Sequence, residues 1–482
     1  VPDMLRRFLI AAALAALPSL ALGQTVQQLK NQPPDGAIYT LQLTDGTVLA
    51  QGYGESDWWV LTPDDTGSYI NGTWKQVGSL QTGYEPYANA SQTLADGRVL
   101  IEGGEYNFGS FAFTNLGAVY NPATRQWATV KPPKGWVNIG DSPSAMLPNG
   151  DFMLGQKFTT REAELNPKTM KWTELTSENK NDFNAEEGYT LMPDGTILTT
   201  DVKANPLSEY YTPSTGTWTN LGTTVANLQG PQDCCGNCIP YGKHDQKCYD
   251  PPGEIGPSLL MPNGSVFATG ATHTGARNAN TAIYTPGSGW AAGPVFPNED
   301  QAGDDFASLQ VDGDPLVEGN SGELYDYNSS TGDFTDTKIN GEGNSLMVLP
   351  SGQILIGGSE VYNTEGTYES AWQPTIGKYP STVSPGSTYK ISGTQFNGLS
   401  QANSFGDEFS CNTNFPLVQI INGKTGHVFF AKTHDHSTMA VATGNKKVST
   451  HFDVPSDVET GASTLVVIAN GIPSAPVSIT VE

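Results

Sequence analysis

The sequence predicts an all-β chain: a seven-bladed β-propeller followed by a C-terminal immunoglobulin-like β-sandwich. Three observations carry that expectation. A hairpin unit of apolar strand, glycine turn and second apolar strand recurs seven times, and an aromatic residue follows each copy at a similar interval. The last hundred residues then change to a run of short strands that lacks the unit.

The seven copies are LTDGTVLAQG (43–52), LADGRVLIEGG (94–104), LPNGDFMLGQ (147–156), MPDGTILTTD (192–201), MPNGSVFATG (261–270), QVDGDPLVEG (310–319) and LPSGQILIGG (349–358). Asp-Gly and Asn-Gly supply the positive φ of a two-residue hairpin turn, so each copy reads as two antiparallel strands. The second half of each unit ends on an aromatic residue: Trp127, Trp172, Trp218 and Trp290, with looser versions at Trp74, Phe334 and Trp372. Four short strands repeated about every fifty residues are the signature of propeller blades, each burying its faces against two neighbours. The tryptophans then read as packing between blades, and Trp58-Trp59, which breaks the pattern, as a surface contact.

Before the first copy, Arg6 and Arg7 precede an apolar run that ends in a small-residue cleavage site, so residues 1–23 read as a signal peptide. The run is too short to span a bilayer, and no second one follows. A secreted or periplasmic protein is expected. Its net charge of −25 opposes phosphate backbones and anionic lipid, which excludes nucleic acid and membrane surfaces as partners. Neutral glycans and cations remain.

The propeller is expected over 24–375, interrupted by a cysteine-rich insertion at 231–252 that holds Cys234, Cys235, Cys238 and Cys248. In an oxidising compartment these read as disulfides within the insertion, with Cys411 left over or tying the last domain to the propeller. Cys235, Cys238, His244 and Cys248 also match a zinc-knuckle spacing. A Pro/Ser/Gly-rich linker follows, and strand-like stretches at 416–422, 427–432, 448–454, 463–469 and 475–481 give the expected sandwich, 376–482.

This order of domains resembles the galactose oxidase and glyoxal oxidase family of secreted kelch-type propellers. The likeness is closest in GYEPYANASQTLADGRVLIEGG (83–104) and FDVPSDVETGASTLVVIANGIPSAPVSITV (452–481). The resemblance implies a copper on the propeller axis, held by a cysteine-linked tyrosine, a Tyr-His pair opening the last blade and a histidine from the sandwich. The matching positions here are Ala88, with Tyr87 one residue out of register, then Glu342-Gly343 and Ser410. A one-residue offset on a strand reverses the side chain. Copper is therefore not expected, because its nitrogen ligands are missing at those positions.

Acids stand there instead. The residues opening the inner strands are Asp141, Glu186 and Glu187, Glu254, Asp304 and Asp305, and Glu342, with Glu85 beside Tyr84 and Tyr87 in the second blade. An acidic ring at one channel mouth would suit a hard cation such as calcium, or a sugar helped by Tyr84, Tyr87 and Trp136. A pair of acids could also serve as general acid and base; solvated strand entries in an acidic chain are the plain alternative. His434 and His436 would share a face of one strand, which permits metal chelation.

The expected function is binding of extracellular or cell-wall carbohydrate, or of a surface partner. A divergent copper-radical oxidase of alcohols or aldehydes, a carboxylate-based polysaccharide hydrolase or lyase, and a purely structural component are the rivals.

Overall fold

A computed structural model describes residues 24–230, 253–272 and 280–482, together with the backbone of 237–240 and 246–249. The expected signal peptide and Cys234, Cys235 and His244 lie outside the described residues. The short strands Asn237–Pro240 and Gln246–Tyr249 pair with Cys238 opposite Cys248.

The described chain is all-β and propeller-like; two 3-10 turns, Pro297–Glu299 and Ser370–Trp372, are its helical elements. Among the described residues, 24–363 include seven four-stranded antiparallel sheets that succeed one another along the chain. Their first strands are Thr40–Gln42, Ala90–Thr93, Ser144–Met146, Thr190–Leu191, Ile255–Leu260, Ala307–Leu309 and Leu346–Val348. Each neighbours the first strand of the next sheet, and Leu346–Val348 neighbours Thr40–Gln42, which closes the circuit. The seventh sheet takes its fourth strand from the other end of the chain, where Thr25–Gln28 pairs with Glu360–Asn363.

The repeated turns are one residue longer than the two-residue form expected from Asp-Gly. In all seven the glycine N–H closes a tight turn, as Gly46 does on the Leu43 carbonyl, and the residue after the glycine completes a bulged pair, as Thr47 does with Leu43. Only the glycine has positive φ, between 77° and 89°. A type I turn followed by a left-handed glycine suits the Pro that precedes several of these Asx residues. The Asx side chain accepts the N–H two residues on, for example Thr47 N–H to Asp45 and Asp151 N–H to Asn149.

Trp74, Trp127, Trp172, Trp218, Trp290 and Phe334 lie on the fourth strands, whereas Trp372 sits in a 3-10 turn. They pack between sheets: the Trp58 and Trp127 rings are 4.7 Å apart, and Trp172 Nε1 donates to the Lys131 carbonyl of the preceding sheet. Trp58, expected on the surface, is fully buried. Its strand Trp58–Thr62 presents it to the inter-sheet core, where an indole removes more apolar area from water than any other side chain could.

Apart from Asn403–Ser404 and Ile472–Pro473, the C-terminal strands of 375–481 run as one continuous hydrogen-bonded path. Val428–His434 pairs with Leu417–Asn422 through its first half and with Val448–Asp453 through its second, so the path curls over a single core that includes Val418, Ile420, Phe452 and Val467. From this unit a segment enters the ring. Asn403–Ser404 adds to the inner edge of the sixth sheet, Phe409 N–H bonds the Asn89 carbonyl, and Ser91 Oγ bonds the Ser410 carbonyl. Gly188 has no side chain because a Cβ there would lie 2.2 Å from the Gly406 carbonyl of this segment. Cys411, carried on it, is a buried free thiol.

Candidate functional site: a lysine caged by carboxylates

The strand entries deliver acids to one place, and a lysine is waiting there. Lys157 follows the second strand of the third sheet, Phe152–Gly155, and its side chain is completely buried. Its Nζ donates to Asp141 Oδ2 at 2.5 Å, to Asp407 Oδ2 at 3.1 Å and to Glu186. Asp141 precedes the third sheet and Glu186 the fourth, while Asp407 comes from the segment that enters the ring. Glu254, opening the fifth sheet, is hydrogen-bonded to Asp304, opening the sixth. Glu408 bonds Asp407, and Glu105 interacts electrostatically with Lys157 and Asp407. Seven carboxyl groups thus share one ammonium.

Their proton affinities follow. Burial would depress Lys157, but Asp141, Glu186 and Asp407 more than offset it and hold the ammonium well above the ordinary lysine range. Burial raises Asp141, Glu186, Glu254 and Glu408. Asp407 alone ends below its ordinary value, because against burial it accepts from Lys157, Glu408 and Glu186. A lysine locked in its charged form is an electrostatic anchor and not a nucleophile.

Aromatic side chains form the rim. Tyr87 is 41% exposed and its ring lies 5.4 Å from Phe409; burial, with Glu408 and Asp304 nearby, pushes its phenol up to about 12. Tyr87 pairs with Tyr106 across a small sheet that carries Phe108 at its hairpin tip and Phe111 on the returning strand, 54% and 42% exposed.

Several expected members lie elsewhere. Glu187, adjacent to Glu186, points the opposite way into a second buried cage, where Lys180 Nζ is 3.6 Å from Glu187 and 3.2 Å from Glu209. Asp305 likewise diverges from Asp304 and faces Glu318 and Asp300. Neither pair lies within a strand, and Asp304 has a positive φ of 40°, so the local bend of the chain turns the two members of each pair to different surroundings. Glu342 is exposed at a turn of positive φ, its N–H held by Asn340, and takes no part in the cluster. Tyr84 and Trp136 are buried, Tyr84 bonding the Gly103 carbonyl, so neither reaches the rim. His434 lies between Asp435 and Asp453 at 2.9 and 3.2 Å, whereas His436 bonds Thr450 and stacks on Phe415. The strand ends at His434 and Asp435 has φ of 51°, so the alternation that would put both imidazoles on one face is broken. Burial pushes His436 down to about 3 and keeps it neutral.

Lys157, Glu105, Asp407 and Glu408 were not among the residues singled out by pattern. Glu105 and Lys157 each follow the second strand of a repeat, the end at which first strands begin. Asp407-Glu408 lies close to Ser410, the position that the family likeness puts on the axis.

Copper does not fit this donor set. Among the described residues the site offers carboxylates, phenols and a protonated amine, and none of the imidazoles that suit copper.

The Asp305–Glu318 pair makes stability pH-dependent. Burial pushes Asp305 up to about 9 and Glu318 up to about 8, and Asp201 in the Lys180 cage to about 7. Unfolded carboxyls ionise near 4, so between that value and each folded value the folded state binds more protons, and stability is lost as pH rises. The melting temperature is expected to be highest near pH 4–5 and to decline steadily to pH 9. Asp305→Asn should flatten part of the decline; a profile that rises across this range contradicts these protonation states.

No family model and no curated protein matches the chain. Among solved structures, a fungal alcohol oxidase of the AA5 family in complex with copper is similar at 14% identity, covering 95% of this chain and 98% of that one, with a TM-score of 0.49. A catalytically inactive virginiamycin B lyase from Staphylococcus aureus with quinupristin is similar at 11% identity over 70% of this chain and 98% of that one, TM-score 0.46. The extracellular domain of a putative one-component system from B. thetaiotaomicron is similar at 11% identity over 95% of this chain and 58% of that one, TM-score 0.45. Likenesses of this degree assign no activity to the chain.

Proposed function

We propose that this chain is an exported, seven-bladed kelch-type propeller with an immunoglobulin-like C-terminal domain that binds extracellular or cell-wall carbohydrate at the caged end of its ring. Residues 1–23 act as its signal peptide, and the cysteines of 231–252 are disulfide-bonded. The observation that carries the binding reading is the juxtaposition of exposed Tyr87, Phe108 and Phe111 with the partly accessible carboxyl groups of Asp304 and Glu105. Aromatic faces stack on the apolar faces of sugar rings, and carboxyl oxygens accept from ring hydroxyls, which is the division of labour a saccharide site needs.

Titration of purified protein with soluble cell-wall oligosaccharides, followed by calorimetry, tests this reading. Binding is expected, and Tyr87→Ala or Phe111→Ala should weaken it about tenfold, the loss of one stacking contact of roughly 1.4 kcal/mol. Absence of binding across neutral and amino sugars would overturn it. New reducing ends in the mixture would instead identify a carboxylate-based hydrolase or lyase, and hydrogen peroxide after copper loading would identify an oxidase.

A further inference from the structure

We propose that Asp141, Asp407 and Glu408 form a binding site for a hard divalent cation, calcium in an extracellular setting, beside the Lys157 ammonium. One carboxylate oxygen from each of the three lies within 4.8 Å of the other two. Calcium–oxygen distances are about 2.3–2.6 Å, so two ligands of one ion can stand at most about 5 Å apart, and this trio fits around a common centre.

An acidic cluster alone would not suffice, but a second observation is independent of it. The Asp141 side chain is 94% buried, since only 6% of it is exposed. Its Oδ2 takes the Lys157 bond, yet its Oδ1 is buried without any hydrogen-bond partner in the protein. A buried carboxylate oxygen left unpaired is costly, and a cation is the partner that best removes the cost. The lysine does not compete for this role, because its three hydrogens are already directed at Asp141, Glu186 and Asp407. The ligands also come from two parts of the chain, the strand entry at Asp141 and the inserted segment at 407–408. An ion would therefore tie that segment to the ring.

The site is independent of the carbohydrate reading, and its test uses the full exported chain stripped with chelator and dialysed. Calcium at millimolar concentration is expected to raise the melting temperature by several degrees, because it binds the folded state alone, and calorimetry should give one ion per chain. Asp407→Asn and Glu408→Gln should each weaken binding at least tenfold, whereas Glu342→Gln, at an exposed turn outside the site, should leave it unchanged. Should the two site variants fail to fold, terbium on the wild-type protein decides the matter. Its emission should be sensitised by Tyr87, be displaced by calcium and fall sharply in Tyr87→Phe. No calcium heat and no thermal shift, unchanged affinity in folded Asp407→Asn and Glu408→Gln proteins, or terbium emission that Tyr87→Phe does not affect would each overturn the proposal.

Discussion

Lys157→Met is expected to destabilise the protein by about 3–5 kcal/mol at pH 8, the cost of removing one partner from a buried ion cluster. The side chain is fully buried and is the ammonium bonded to Asp141, Glu186 and Asp407, two of which are themselves almost fully buried. Methionine fills much of the volume, so the loss is one of charge and not of packing. Asp407, held ionised by this lysine, would be left without its cation, and the strand entries of the third and fourth sheets would lose their common tie to the inserted segment. Protonation offers the only local relief, so the penalty should shrink markedly at pH 5. Chemical denaturation of wild type and variant at both pH values, in chelator, measures it. An equal penalty at pH 5 and pH 8 would mean that packing, and not charge, is what Lys157 supplies.

Lys180→Met should cost nearly as much, about 3 kcal/mol, by the same physics at a second place. Lys180 Nζ lies 3.2 Å from Glu209 and 3.6 Å from Glu187, and 3.9 Å from the centre of the Trp218 ring. Glu162 completes the wall, accepting from Tyr189, Trp218 and Ser177. The lysine pins the stretch between the third and fourth sheets over the inter-sheet core, and its face-on position above an indole adds a desolvated cation–π contact worth up to about 2 kcal/mol. Arginine should not rescue the site, since a planar guanidinium needs a wider and differently shaped cavity than an ammonium. A Lys180→Arg protein that matches wild type in thermal unfolding would show that charge alone matters there. Because Glu186 and Glu187 are adjacent, one serving each lysine, the two methionine substitutions should not be additive.

These two lysines mark where reading along the chain stops. The sevenfold unit was legible because it rests on local chemistry: strand alternation, Asx residues that bond the N–H two positions on, and a glycine in the left-handed region. Even the error about turn length was local, since a proline ahead of the Asx residue already favours a type I turn over the mirror-image one. Acids at the strand entries were legible for the same reason, standing at similar offsets ahead of the turn.

Tertiary structure decided which of those acids act together. Glu186 and Glu187 are adjacent in sequence, yet they face different cages, Glu186 with Lys157 and Glu187 with Lys180. Glu342 has the right offset but sits at a turn that directs it to solvent. Asp407 and Glu408 come from a unit outside the repeat, and no periodicity predicts that their segment will enter the ring and meet Lys157. The charge of a single buried lysine depends on groups 16, 29 and 250 residues away in the chain. Strand and turn propensities are set by neighbours a few residues apart, so the sequence alone determined the repeat, whereas the electrostatic balance of the cage exists only once the ring has closed.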